Sequence, residues 1–382
     1  MLLAAAIYAP FQLVPFHVFQ LTMVLVYAVA LLGLNVLVGH AGQISLGHGA
    51  FFAAGAYAAA IMMFHWELPY LATLPVAAAV AFLLGLVLGV PAMRLRGLYL
   101  ALVTLAIAIF LVPLLKRFEE VTGGSMGLSL AKPAPPAWSG LAEDQWLYFL
   151  ALAVAVAAFL LAAGLLRSRV GRALHAVRDN EIAAEVMGVR LSYYKTLAFA
   201  WSAMFAGVAG CVYTWVIGFV SPDSFPVTLS ITLLAGIVVG GLGSLSGPVL
   251  GALFVMFVPS LSQDVNEAAP GVIFGLLIIA VMYVAPTGLA KPGGARGQLS
   301  QEDPPEGVTR HAFYCDRPYG GDGHPGDRRG GLRGVEGRPE KGRRRPAPPR
   351  DNARGSRPPA SRTPRSSSAA STRCRGLGVR LR

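Results

Sequence analysis

An all-α, polytopic membrane protein of about 8–10 helical spans, some short or discontinuous, with a disordered C-terminal tail is the fold class this sequence predicts. Three observations carry it. Apolar runs recur along the first 290 residues and reach the roughly 20 residues a helix needs to cross about 30 Å of hydrocarbon. Those residues hold only 11 Lys+Arg and 11 Asp+Glu, placed mostly between the runs or at their ends. Beyond them the chain changes material: residues 291–382 hold 16 Gly and 12 Pro, with 21 Lys+Arg against 9 Asp+Glu, so the whole net charge of +12 sits there. An open sheet cannot satisfy its backbone in lipid, so a set of such runs means helices. The expected division is a transmembrane domain, 1–290, and a low-complexity Arg/Gly/Pro-rich tail, 291–382.

Taken in order, the first run, Met1 to Phe16, lacks a basic flank and an A-x-A cleavage site, so it reads as a short first span and not as a removable signal. Spans are expected at about 2–16, 18–38, 49–65, 70–92, 97–115, 145–166, 193–216, 227–242, 249–261 and 270–286. Lys and Arg collect on the cytoplasmic side of a membrane. Arg94 and Arg96 in one loop, and Arg167, Arg169, Arg172 and Arg178 in another, are separated by two spans, so both loops lie inside. The segment 116–144 is then outside, with Lys116 and Arg117 offset by Glu119 and Glu120, and so is 217–226. Two short runs within 227–261 flank GGLGSLSGP and read either as two tilted spans or as a re-entrant pair.

The tail lacks the apolar area to offset its ordering entropy. RRRPAPPR at 343–350 would suit nucleic acid or anionic lipid, but a segment with no selected fold, such as a frame-shifted end, is the preferred reading. No nucleic-acid partner is expected; membrane lipid is. Cys211, Cys315 and Cys374 are too scattered for a disulfide framework or a metal site, and Cys211 reads as a small apolar residue within a helix.

Two polar constellations interrupt the apolar pattern. GHAGQISLGHG, Gly39 to Gly49, reads either as an ordinary cytoplasmic hairpin or as a broken helix lining a solute path, where freed backbone groups must face protein or a wet cavity. On the second reading His40, Gln43 and Ser45 would line the path. Thr104, in the apolar run after Arg96, would either join them or bond its own preceding turn. A metal site from His40 and His48 is not expected, since neither Cys nor carboxylate stands nearby. Outside, VTGGSMGL at 121–128 reads as a turn or as a contact for a solute-delivering partner.

GRALHAVRDNEIAAEVMGVRLSYYK, Gly171 to Lys195, is the second constellation. Asp179 or Asn180 can cap a helix that has Glu181 in its first turn. Ile182, Ala183, Val186 and Met187 fall on one face, and Gly188 suits the C-terminal stop. A helix of about two turns is marginal in water and has to dock on something. Downstream, Ala203, Gly207 and Gly210 permit close packing of the next span against its neighbours.

LNVLVGHAGQISLGHGAFFAAGAYAAA, RLRGLYLALVTLAIA, TGGSMGL, the polar segment running into AWSAMFAGVAG, GGLGSLSGPVLGA and the closing APTGLA together resemble the LivM-type permease of branched-chain amino acid ABC importers. Six blocks in order cover about residues 20–290. The resemblance implies an inner-membrane permease subunit moving leucine, isoleucine, valine or similar amphipathic solutes. It also implies a LivH-type partner permease, two cytoplasmic ATP-binding subunits and an extracytoplasmic solute-binding protein. By that likeness Asn180, Glu181, Ala184, Glu185 and Gly188 belong to the ATPase-coupling segment. The short N-terminal span and the tail depart from the family pattern.

Neither an enzyme nor a cofactor is expected, because no paired carboxylates, metal cluster or nucleophile–base pair stands among the spans. No G-x-x-x-x-G-K-[ST] loop occurs, so ATP would be used only through partners. The alternative is a stand-alone secondary carrier or channel for a small polar solute, which would want an intramembrane acid or base. The expected spans contain Asp or Glu only near their ends.

Overall fold

The computed structural model describes residues 8, 10–92, 97–136, 140–263, 270–285 and 288–290. Most of the expected 2–16 span, the Arg94 and Arg96 anchor and the whole tail at 291–382 lie outside them. Helix α1, Pro15–Leu34, begins with Pro at its first position, where a missing N–H costs nothing, and runs on as a π-helical turn, Asn35–His40. There follow α2 His48–His65, α3 Tyr70–Ala92, α4 Leu98–Arg117 and the single turn α5 Glu119–Thr122. Helix α6, Glu143–Arg167, carries Glu143 and Asp144 at its positive end and Arg167 at its negative end, matching the helix dipole. The polar segment forms α7 Arg169–Asp179 and α8 Glu181–Val186, and α9 Leu191–Ile217 re-enters the bundle. Helices α10 Val227–Gly240, α11 Gly247–Gln263 and α12 Pro270–Val284 complete it.

Among the described residues, six helices are long and apolar enough to cross a membrane: Pro15–His40, Tyr70–Pro91, Tyr99–Arg117, Glu143–Arg167, Leu191–Ile217 and Pro222–Gly240. Gly247–Leu261 and Gly271–Val284 are shorter, in line with the expectation of short or discontinuous elements. The bundle has a centre and a rim. The apolar windows of α1 and α9 are 78% and 72% buried, whereas those of α3, α4 and α6 are only 22% buried and so turn apolar surface outward, as lipid contact requires. Small residues bring α9 close to its neighbours: a Cβ on Gly207 would strike Ala81 of α3, and one on Gly210 would strike the Phe52 carbonyl of α2.

Contacts at the two ends fix the direction of travel. Strand β1, Leu128–Ser129, pairs antiparallel with β2, Phe219–Val220, and Lys116 bonds Asp223 at 2.7 Å, so the two segments expected outside do share one end. An exposed pair of this kind is worth about 0–1 kcal/mol, so it marks position more than it stabilises. At the opposite end Gly243 lies beside Arg178. The element Pro222–Gly240 therefore joins both ends. Helix α11 returns along it to the outer end, where Gln20 Nε2 donates to Ser260 Oγ at 3.1 Å. Of the two runs within 227–261, the first is long enough to cross a membrane and the second is shorter, packed back along it. The closing motif follows: the Leu289 and Ala290 amides donate to the Val239 and Gly240 carbonyls at 3.0 and 3.1 Å, satisfying acceptors that the end of α10 leaves over.

Candidate functional site

Two interruptions of the helical bundle and the cytoplasmic helix pair meet at one end of the molecule. The first interruption follows the π-turn. From Gly42 to Gly47 the chain is non-helical, and α2 does not start until His48. His48 Nε2 lies 2.8 Å from the Ala30 carbonyl, ten residues before His40, which at 1.5 Å per residue puts the start of α2 roughly 15 Å back up along α1. The segment is thus no cytoplasmic hairpin. It is a non-helical stretch climbing inside the bundle, with Gln43 and Ser45 buried and Gly42 and Ile44 turned outward. Gly42 sits at φ +68°, a conformation a side chain would strain.

Four backbone amides in and just after this stretch have protein partners, as irregular backbone at membrane depth requires. Gln43 N donates to the Leu37 carbonyl at 3.1 Å, and Leu46 N to Thr104 Oγ1 at 2.9 Å. Gly47 N donates to Ser45 Oγ at 3.3 Å, and Gly49 N to Ser230 Oγ at 3.0 Å. Thr104 also donates to the Ala101 carbonyl at 3.0 Å, so it bonds its own turn, as expected, while accepting from Leu46 N.

Asn35 ties this break to the second one, at 241–246. Its Nδ2 donates to the Ser244 carbonyl and its Oδ1 accepts from Gly243 N, both at 2.8 Å, and the side chain is fully buried. The sequence reading passed over Asn35. Its signal was present, since an amide in a run of aliphatic residues is costly in lipid unless it is bonded.

The cytoplasmic pair is larger than expected. Arg169–Asp179, read from sequence only as a basic anchor, is a full helix: Ser168 Oγ accepts from Val170 N, and Gly171, Leu174 and Val177 form its buried stripe. That stripe follows i, i+3, i+6 and was legible. Asn180 caps α8, accepting from Ala183 N at 3.0 Å. Glu181 pairs with Lys195 of α9 at 2.6 Å, and Ala184 is buried, so these two hold α8 against the bundle. Glu185 and Gly188 are exposed, and Gly188 ends the helix at φ +85°, donating to the Glu185 carbonyl. Ile182, Val186 and Met187 project outward, 75–83% exposed. His40 packs against His175 of α7 with ring centroids 4.9 Å apart and the rings tilted by 52°, which puts it at the seam between the bundle and the helix pair.

A lipid-embedded helical bundle with a broken inner segment, bonded to an amphipathic helix pair on its cytoplasmic face, defines a permease. Residues 17–285 match the family model described as branched-chain amino acid transport system, permease component, and the chain belongs to that family. It is 35% identical over 329 residues to the high-affinity branched-chain amino acid transport system permease protein LivM of Escherichia coli, covering 78% of this chain and 77% of that one. LivM of Salmonella typhimurium matches to the same extent. The autoinducer 2 import system permease protein LsrC of Klebsiella pneumoniae is 38% identical over 135 residues, 33% of this chain and 37% of that one. The protein is accordingly a multi-pass inner-membrane subunit of an ABC importer, not an enzyme, working with ATPase and binding-protein partners. The stand-alone carrier gives way to this reading.

Proposed function

We propose that the chain carries leucine, isoleucine, valine or closely similar amphipathic solutes, as one half of a path completed by a LivH-type partner permease. Two ATP-binding subunits would drive it from inside and a solute-binding protein would load it from outside. The permease domain is residues 1–290; the family match ending at 285 supports that boundary.

The observation that carries the mechanism is the outward apolar trio of Ile182 and Val186, on a helix of only six residues, and Met187 at its C-cap. Six residues are too few to be stable alone, so α8 depends on what holds it from both sides. Ala184 and the Glu181–Lys195 pair hold it from the bundle, and the trio, spaced i, i+4 and i+5, suits a groove on an ATPase subunit. A cavity of about 590 Å³ bordered by Glu185, Gly188, Arg190 and Ser192 lies beside it and would receive polar side chains of the same partner. Asn180, Glu181, Ala184, Glu185 and Gly188 are thus the frame of the coupling segment. Of the residues we assign to the solute path, Gln43 and Ser45 lie in the broken stretch, His40 in the π-turn before it, and Thr104 on α4, bonded to it through Leu46 N.

Replacing Val186 and Met187 together with Asp tests the docking face, with recovery of the ATPase subunits on the purified permease as readout. Recovery should fall at least about tenfold, a loss of about 1.4 kcal/mol or more; unchanged recovery would remove the docking role of α8. Apolar walls discriminate a methylene by only about 1–3 kcal/mol, so leucine, isoleucine and valine should compete within about 10–200-fold of one another. Competition for uptake by reconstituted importer measures this, and exclusion of all three would overturn the solute assignment.

A further inference from the structure

We infer that Arg178 is a positioning residue that hands the movement of the docking helix to the broken segments of the path. The inference rests on the docking role proposed for α8. Arg178 stands in the last turn of α7, two residues before the Asn180 cap, so it cannot shift independently of the start of α8. Its guanidinium donates through Nη1 to the carbonyl of Gly39, within the π-turn. Two glycines make room for it. A Cβ on Gly42 would meet the Arg178 side chain at 3.3 Å, and one on Gly243 would meet Nη1 at 3.2 Å. Both breaks are therefore shaped around one side chain.

The two breaks are already one unit through Asn35, which bonds Ser244 and Gly243 from the helix turn that carries Gly39. The chain of contact runs α8, Arg178, Gly39, and from there forward into 42–47 and across to 241–246. The His40 and His175 rings also meet at this seam, with centroids 4.9 Å apart. A displacement of α8 thus reaches the non-helical stretch through a charge-assisted hydrogen bond to a backbone carbonyl, which resists being stretched more than a ring contact does.

The experiment uses the complete importer with Cys211, Cys315 and Cys374 replaced by Ser and Ile44→Cys as reporter. Ile44 lies in the broken segment and is 46% exposed. The rate of labelling by a membrane-impermeant maleimide is compared between nucleotide-free and vanadate-trapped states. With Arg178 present the two rates should differ at least about fivefold, the low end of a typical coupling. Arg178→Ala should bring them within about twofold while ATPase recovery stays normal. Arg178→Lys, which keeps a charged donor but loses the planar fork, should restore most of the difference. Nucleotide-dependent labelling that survives Arg178→Ala overturns the inference, and so does labelling indifferent to nucleotide with Arg178 intact. Lost ATPase recovery in Arg178→Ala also overturns it, because Arg178 would then serve docking itself. None of these readouts depends on the solute, so failure of the branched-chain assignment appears separately, in the uptake competition.

Discussion

Asn35 is the first asparagine in the chain, and the next is Asn180. One amide in an aliphatic helix gains nothing from hydrophobic burial, so its place is explained by the two bonds it makes across to 243–244. Leucine would fill nearly the same volume and make neither. Asn35→Leu should leave the Gly243 N–H and the Ser244 carbonyl, both half-buried, without their partner, at about 1 kcal/mol each. The denaturation midpoint of the purified subunit should fall accordingly, and an unchanged midpoint would mean that Asn35 does not hold the two breaks together. Thr104 carries a related lesson. A hydroxyl in an apolar run reads equally as a back-bond to its own turn or as a contact elsewhere, and here one oxygen donates to Ala101 while accepting from Leu46.

Among the elements, α9 depends most on residue size. Its approach to α2 leaves no room at Gly210, where a Cβ would strike the Phe52 carbonyl and the Ala56 amide, which are backbone and cannot rotate aside. Gly164 of α6 makes the control, with nothing within 4 Å of the corresponding point. Gly210→Ala should force α2 and α9 apart at a cost of about 1–3 kcal/mol and lower the yield of folded protein. Gly164→Ala should be neutral or stabilise by up to about 1 kcal/mol, since Ala favours a helix over Gly. Equal yields for the two variants in a detergent-solubilised monodispersity assay would refute the close-packing argument. Helix α8 is the opposite case: two of its six residues, Ile182 and Val186, and the Met187 cap expose large apolar side chains, so its stability in the subunit lies in contacts to the bundle.

At the scale of the whole molecule, the closing residues tie the chain's end to its second break. Leu289 and Ala290 satisfy carbonyls at the end of α10, so a stop after Ala290 should leave uptake intact, whereas a stop after Val284 should strip those acceptors and reduce it. Comparing uptake per molecule of inserted protein separates the two, and equal loss from both truncations would mean that the residues after 290 contribute to the permease. The apolar runs, the gathering of arginines in one polar segment and a helix cap at Asp179 or Asn180 were all legible in sequence, because span length, charge asymmetry and capping chemistry are local properties. Helix α7 was legible too, in the spacing of Gly171, Leu174 and Val177, but its many arginines drew attention to topology instead. The family likeness also lay in the sequence, in the order of its blocks. What no local pattern contained was that Gly39 to Gly49 climbs back into the bundle, that 241–246 meets it, and that Arg178 lies between them. The last two are pairings between residues some 140 to 210 positions apart, settled only when helices pack closely enough for glycine backbones to touch and freed amides and carbonyls must find partners away from water.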